Sequence, residues 1–363
     1  MTREAAIARV RTGAYTIPTD APESDGTIAW DRTTLVTAEI DAGGRTGFGY
    51  TYAGSSARGL IDGVLGPELE GRDAFAIEAN WAAMNAIVRN IGRPGIASCA
   101  VSALDVALWD LKARLLGISL AQLLGPARGK VAVYGSGGFT SYDDARLAAQ
   151  LSGWAEEGCA FVKMKVGREP GRDVARVRAA RKAIGDTGLF VDANGAYARK
   201  QALHLAEAFA QAGVGWFEEP VSSDDLDGLR LMRDRAPATM DVAAGEYGYT
   251  PYYFKTMLAA GAVDVLQVDA TRAGGYTGFL RAAAVADAFQ IPLSCHCAPA
   301  LHLPVACWAP RLRHIEWFHD HVRIEQMLLD GAPVLRNGSL APDMGAPGHG
   351  LSLKQPDAER FEA

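Results

Sequence analysis

From Val131 onward one pattern recurs: a short apolar run, then an amphipathic stretch with helical spacing. The runs are VAVYGSG (131–137), FVKMKVG (161–167), LFVDAN (189–194), GWFEEP (215–220), DVAAGE (241–246), VLQVDA (265–270), IPLSCHC (291–297) and RHIEWF (313–318). Among the stretches between them are DVARVRAARKAIG (173–185) and KQALHLAEAFAQAG (200–213). Strand then helix, repeated about eight times, predicts a parallel α/β barrel. An open doubly wound sheet is the alternative. GSGGF (135–139) lacks the GxGxxG spacing of a dinucleotide site, which weakens that reading.

The chain before this pattern is mixed. TTLVTAEIDAGGRTGFGYTYA (33–53) predicts two strands around a Gly43-Gly44 turn. The segments 72–90 and 96–117 have helical spacing, the second ending at Gly117. These give an α+β domain over residues 1–125, a barrel over 126–327, and a Pro- and Gly-containing segment, 328–363, expected to pack back on the first domain. The polar segment IPTDAPESDGTIAW (17–30) is expected to be a loop over the barrel mouth.

With 363 residues, 49% of them hydrophobic, the chain can bury a large core without disulfides. The net charge of −6 argues against a generic nucleic-acid binder. No apolar run reaches the roughly 18 residues of a membrane span. Glu4, Arg9 and Arg11 interrupt the stretch where a signal peptide would be apolar, and five cysteines suit a reducing compartment. A cytoplasmic location is therefore expected. Cys295 and Cys297 flank His296, but their spacing matches no common zinc pattern, and buried thiols are expected.

The apolar runs end in ionisable residues: Lys163 and Lys165, Asp192, Glu218, Glu246, Asp269, His296 and Glu316. From Lys165 the successive spacings are 27, 26, 28, 23, 27 and 20 residues, each about one βα unit. Helix capping explains one such residue; a whole series at this period predicts convergence on the mouth of the barrel. Asp192, Glu218 and Glu246 would sit on neighbouring strands and repel unless a cation lay between them. An all-oxygen set suits Mg²⁺. Lys163 and Lys165 face the same side of their strand, where cationic surroundings would lower a lysine pKa toward that of a base. A Schiff-base lysine is the other reading, against which the second lysine and the carboxylate trio argue. Asp269 is placed to bond one ring nitrogen of His296, leaving the other for proton transfer. His319 and His321 carry no such pattern.

KMK (163–165), VDANGAY (191–197), WFEEP (216–220), AAGE (243–246), VDATRAGG (268–275), SCH (294–296) and Glu316 together resemble the enolase superfamily, mandelate racemase subgroup. The resemblance extends over essentially the whole chain, including ALWDLKARLLG (107–117). It implies a modified TIM barrel, (β/α)7β, with an N-terminal α+β capping domain, and one Mg²⁺ held by Asp192, Glu218 and Glu246. It implies further that Lys165 is the base on one face of the substrate and that Lys163 lies near the substrate carboxylate. His296, oriented by Asp269, would be the acid or base on the opposite face. Glu316 would hydrogen-bond the substrate carboxylate, and Asn194 would lie beside the metal. A homo-oligomer, dimer or octamer, is also implied.

These parts permit proton abstraction alpha to a carboxylate, followed by racemisation, epimerisation, β-elimination of water or cycloisomerisation. Asp20 and Asp25 in the cap segment and Tyr134, Ser136 and Thr140 near the first barrel strand suggest hydrogen bonding to a polyhydroxylated acid. The expected reaction is therefore dehydration of a sugar acid to a 2-keto-3-deoxy acid, with racemase or epimerase second and lactone cycloisomerase third. A barrel that binds an acid sugar without turnover is the non-enzymatic reading.

Overall fold

The computed structural model describes residues 5–363. Eight strands form the barrel: β4 (Val131–Gly137), β5 (Phe161–Lys165), β6 (Gly188–Asp192), β7 (Val214–Glu218), β8 (Asp241–Ala244), β9 (Val265–Val268), β10 (Leu293–Cys295) and β11 (Leu312–Phe318). Each pairs in parallel with the next, and β11 pairs back with β4, closing the sheet. The doubly wound alternative is excluded by that closure. Helices follow the strands, from Asp144–Glu156 after β4 to His319–Leu328 after β11.

Strand residues alternate between barrel interior and helix layer. Val162 and Met164, Leu189 and Val191, and Val242 and Ala244 join one large buried core under the helices. The residues between them face inward. Tyr134, Phe190, Trp216, Ala243 and Val265 fill the barrel interior, with Phe190 stacked on Trp216 at 4.9 Å. This aromatic plug is the floor on which the polar layer rests.

The N-terminal domain is a three-stranded antiparallel sheet, β1 (Ile7–Ser24), β2 (Ala29–Ala42) and β3 (Arg45–Tyr52), packed on the helix Ile96–Leu116. The Gly43-Gly44 turn joins β2 to β3. The helix stops at Gly117, whose φ of 70° suits a left-handed C-terminal cap. β3 lies so close to this helix that a Cβ on Gly49 would meet the Ala103 carbonyl oxygen at 2.2 Å.

The expected loop at 17–30 is instead the end of the β1–β2 hairpin, with its turn at 25–28. The two strands slip out of register between the Pro18–Arg32 and Glu23–Trp30 pairs, so the polar, proline-containing stretch is a bulged strand. This hairpin reaches the barrel: Ser24 and Thr140 share a hydroxyl hydrogen bond of 2.6 Å, and Thr33 donates to Asp320. The C-terminal segment contacts both units. Ser339–Leu340 pairs antiparallel with the start of β4, and the Ala363 amide donates to the Ala14 carbonyl at 2.9 Å.

Candidate active site

Register puts the polar layer together. Lys165 pairs with Asp192 and Asp192 with Glu218, so three inward side chains from β5, β6 and β7 share one level. Glu246 lies two residues past β8. Gly245 precedes it with φ 136°, and a Cβ there would meet the Gln267 carbonyl oxygen at 2.2 Å. Only glycine lets the chain pass that oxygen and deliver Glu246 to the mouth.

Asp192, Glu218 and Glu246 are all buried and offer ligand oxygens within 4.8 Å of one another. Glu246 Oε2 is buried without a hydrogen-bond partner. Lys165 Nζ donates to Asp192 Oδ2 at 2.5 Å, and Lys163 Nζ contacts Glu218, Glu316 (2.8 Å) and Asp192 (3.4 Å). Trp216 in the floor donates to Glu218 Oε2 at 3.0 Å. The Asn194 amide donates to Asp192 Oδ1 at 2.9 Å, and its side-chain Oδ1 is buried without a partner. Three converging carboxylates with an orphaned oxygen fit a hard divalent cation, and these residues would hold it.

Burial pushes both lysines down, but neighbouring carboxylates outweigh it and hold both above the ordinary value: chiefly Asp192 for Lys165, and Glu218 and Glu316 for Lys163. The lowered lysine pKa expected from cationic surroundings belongs to the site with its cation bound. Lowering requires the same carboxylates to be engaged by a cation. Burial, reinforced by Asp192, raises the Glu218 carboxyl, while the lysines hold Asp192 low against its own burial.

His296 Nδ1 and Asp269 Oδ2 are 2.8 Å apart and buried. His302 supports this corner, its Nε2 accepting from the Ala270 amide at 2.8 Å. The other nitrogen of His296, Nε2, lies 3.3 Å from both Glu246 Oε2 and Cys297 Sγ. Burial opposes charge on His296, yet Glu246, Glu316 and Asp269 raise its pKa. Lys165, Asn194, Glu246, Arg272, His296 and Cys297 wall one cavity of about 320 Å³; Asp25, Trp30, Arg32 and Tyr52 close it from the cap.

Other expected site residues lie elsewhere. Lys163 and Glu316 sit beneath the cavity. Both Glu316 oxygens are engaged: Oε1 by Ser136 (2.6 Å) and Lys163, Oε2 by the Cys297 amide (2.8 Å). Burial opposes ionisation of Glu316, but Lys163 and His296 hold its pKa well below the usual range. In this arrangement both of its oxygens act as acceptors. Tyr134 belongs to the floor, and Ser136 serves Glu316; neither lines the cavity. Asp25 reaches the cavity rim, but its Oδ1 accepts from the Thr27 and Ile28 amides at 2.6 and 2.8 Å and so builds the hairpin turn. Asp20 is outside the cavity, paired with Arg146 and His319. Cys295 is a buried core thiol, whereas Cys297 lies past the strand and lines the cavity.

Sequence reasoning missed several cavity residues. Arg272 bonds Glu246 Oε1 at 3.3 Å and lies 3.6 Å from Asp269 Oδ2. Its place three residues after Asp269 was a usable signal. Trp30, Arg32, Tyr247 and His321, whose ring stacks on Tyr52 at 3.5 Å, gave none.

A closed parallel barrel with this carboxylate and lysine layer under an α+β cap defines the mandelate racemase/muconate lactonizing enzyme group of the enolase superfamily, and the chain belongs to it. The family model for the mandelate racemase/muconate lactonizing enzyme N-terminal domain matches residues 13–125, and the enolase C-terminal domain-like model matches 145–358. The chain is 52% identical to a mandelate racemase/muconate lactonizing enzyme-like protein from Rubrobacter xylanophilus, whose crystal structure superposes with a TM-score of 0.97 over 99% of this chain and 100% of that one. It is 35% identical to the 3,6-anhydro-alpha-L-galactonate cycloisomerase of Streptomyces coelicolor, over 98% of both chains. L-talarate/galactarate dehydratase from Salmonella typhimurium, solved with Mg and L-lyxarohydroxamate, is 27% identical with a TM-score of 0.91, covering 100% of this chain and 95% of that one.

Proposed function

We propose that this enzyme removes the proton alpha to a sugar-acid carboxylate and expels the oxygen substituent on the neighbouring carbon. One observation carries the proposal: Lys165 on β5 and His296 just past β10, held from behind by Asp269, open into one cavity beside a carboxylate trio. Mg²⁺ is the cofactor, with Asp192, Glu218 and Glu246 as its protein ligands; when bound, it supplies Lewis-acid polarisation of the substrate carboxylate.

Lys165 takes the α-proton at Nζ. Lys163 stays beneath, tying Glu218 and Glu316 together and fixing the position of the ligand set. His296 holds a proton at Nε2, on the far side of the cavity, and delivers it to the departing oxygen; Asp269 steadies the ring through Nδ1. The cap hairpin covers part of the cavity from above.

Expulsion of hydroxide is dehydration and leads to a 2-keto-3-deoxy acid. Asp20 faces away and Trp30 and Ile28 face the cavity, so the cap offers a polyhydroxylated acid fewer hydrogen-bonding groups than its polar sequence implies. A supporting fact is that relatives acting on sugar acids include a dehydratase. A second reading is favoured by the similarity to a cycloisomerase over 98% of both chains: the departing oxygen is then a ring or lactone oxygen, and the same two residues serve. Incubating the Mg²⁺-loaded enzyme with aldonic acids, aldaric acids and their lactone and anhydro forms in D₂O tests the proposal. A 2-keto acid or ring-opened product with deuterium exchange is expected. Substrate returned epimerised at Cα, with no elimination product, would refute it.

A further inference from the structure

We propose that Asp20, Glu23 and His319 form a second divalent-cation site, of the kind Zn²⁺ occupies, tying the cap hairpin to the end of β11. The three side chains offer ligand atoms within 4.8 Å of one another. Glu23 is only 1% exposed; its Oε2 accepts from Trp30 Nε1 at 2.8 Å, while Oε1 is buried without a hydrogen-bond partner among the described residues. A carboxylate oxygen buried without a partner is costly, and here Asp20 and Asp320 add negative charge around it. The nearby cations do not answer it. Arg146 reaches Asp20 Oδ1 at 3.4 Å, and Arg323 is engaged by Asp320 and the Pro18 carbonyl, both at 2.6 Å.

The backbone explains why these groups meet. The register slip between Pro18 and Glu23 bulges β1 toward the barrel. His319 follows directly on β11 and brings Nε2 to 3.1 Å from Asp20 Oδ2. One imidazole nitrogen with two carboxylate oxygens suits Zn²⁺, with water completing the shell, better than Mg²⁺, which prefers oxygen alone. This cluster is separate from the Asp192, Glu218 and Glu246 trio. Its reach into the active site is indirect, since Glu23 holds the indole of Trp30, which walls the cavity and packs edge-on against Phe139 at 5.6 Å. A cation on Glu23 would therefore fix that wall.

The test titrates Zn²⁺ into protein saturated with Mg²⁺, by equilibrium dialysis with metal analysis and by thermal unfolding. Glu23→Gln keeps the side-chain shape, and His319 is partly exposed, so His319→Asn leaves the core intact. Wild type should bind one more equivalent of Zn²⁺ per chain than either variant, with affinity at that site at least tenfold tighter. Zn²⁺ should also raise the unfolding midpoint of wild type and not of the variants. Absence of Zn²⁺ binding to wild type would overturn the proposal. So would equal stoichiometry in all three proteins, as expected if Zn²⁺ sat instead at His296, Cys297 and Glu316, which also converge.

Discussion

Replacing Asp269 by Asn tests the His296 pair with the side-chain shape kept. Asp269 Oδ2 lies 2.8 Å from His296 Nδ1, and both groups are buried. Asn keeps the shape but has one acceptor oxygen: with that oxygen on the Thr271 amide and hydroxyl, its NH2 faces Nδ1, so the variant removes both the charge that stabilises the imidazolium and the acceptor for Nδ1–H. A hydrogen bond between charged groups contributes about 1.5–3 kcal/mol, and burial favours the upper end. With about 1.36 kcal/mol per decade of rate, kcat should fall roughly 10- to 150-fold. Asp269 does not line the cavity, so KM should change much less than kcat. Asp269→Ala should lose more, because the Thr271 amide and hydroxyl, both 2.7 Å from Asp269 Oδ1, would then lose their acceptor. The assay is steady-state kinetics on the sugar acid found by screening, with thermal unfolding of each variant as a control for folding. A kcat for Asp269→Asn within twofold of wild type would show that His296 gains nothing from this partner, and the acid role given to it would fall.

Chelation with EDTA should abolish turnover and added Mg²⁺ restore it; full activity in a demonstrably metal-free preparation would refute the carboxylate assignment. Gly245→Ala should reduce Mg²⁺ affinity and activity together, since a Cβ would strike the Gln267 carbonyl; wild-type Mg²⁺ affinity would contradict this. Asp110→Ala should destabilise the fold by about 3 kcal/mol in urea unfolding, because the Phe48 and His349 amides each lose a buried acceptor at 2.8 Å. Glu325 accepts from the Tyr50 hydroxyl at 2.6 Å and the Ala300 amide at 3.0 Å, and burial raises its pKa to about 8 against those bonds. The folded state therefore binds its proton more tightly than the unfolded state, so this group's contribution to stability is full below about pH 4.5 and is lost as pH rises toward 8. Urea unfolding of Glu325→Gln should decline less over that range than wild type; identical slopes would show that Glu325 is ionised throughout.

The barrel and its polar layer were legible because both follow from local rules. Alternation along a strand tells which side Lys163 and Lys165 face, and the βα period tells which end carries Asp192, Glu218 and Glu246. Depth was not legible. Tyr134 and Ser136 share an inward face with the site residues, but register sets them level with Phe161 and Lys163, below the mouth. The cap was harder still. Pro18, Asp20 and Pro22 argue against a strand, and only pairing with β2 makes one, bulge included. Arg32 and Trp30 enter the cavity because of how two units dock, which no local pattern encodes. Glu316 was legible as a residue but not in its partners, since Lys163 lies 153 positions away in the chain.

The cap hairpin has a consequence for the order in which the molecule is made. Thr33 bonds Asp320, 287 positions away, and Ser24 bonds Thr140, 116 away. The hairpin leaves the ribosome long before the strand and helix against which it finally rests. Contacts so distant in sequence form late, after the loop-closure entropy of the whole barrel has been met. During synthesis the β1–β2 ribbon must therefore wait with Trp30 uncovered, and uncovered apolar strand surface is prone to aggregate. Asp31 and Arg32, both exposed and interrupting that apolar stretch, place charge where a waiting strand most needs protection from a neighbour.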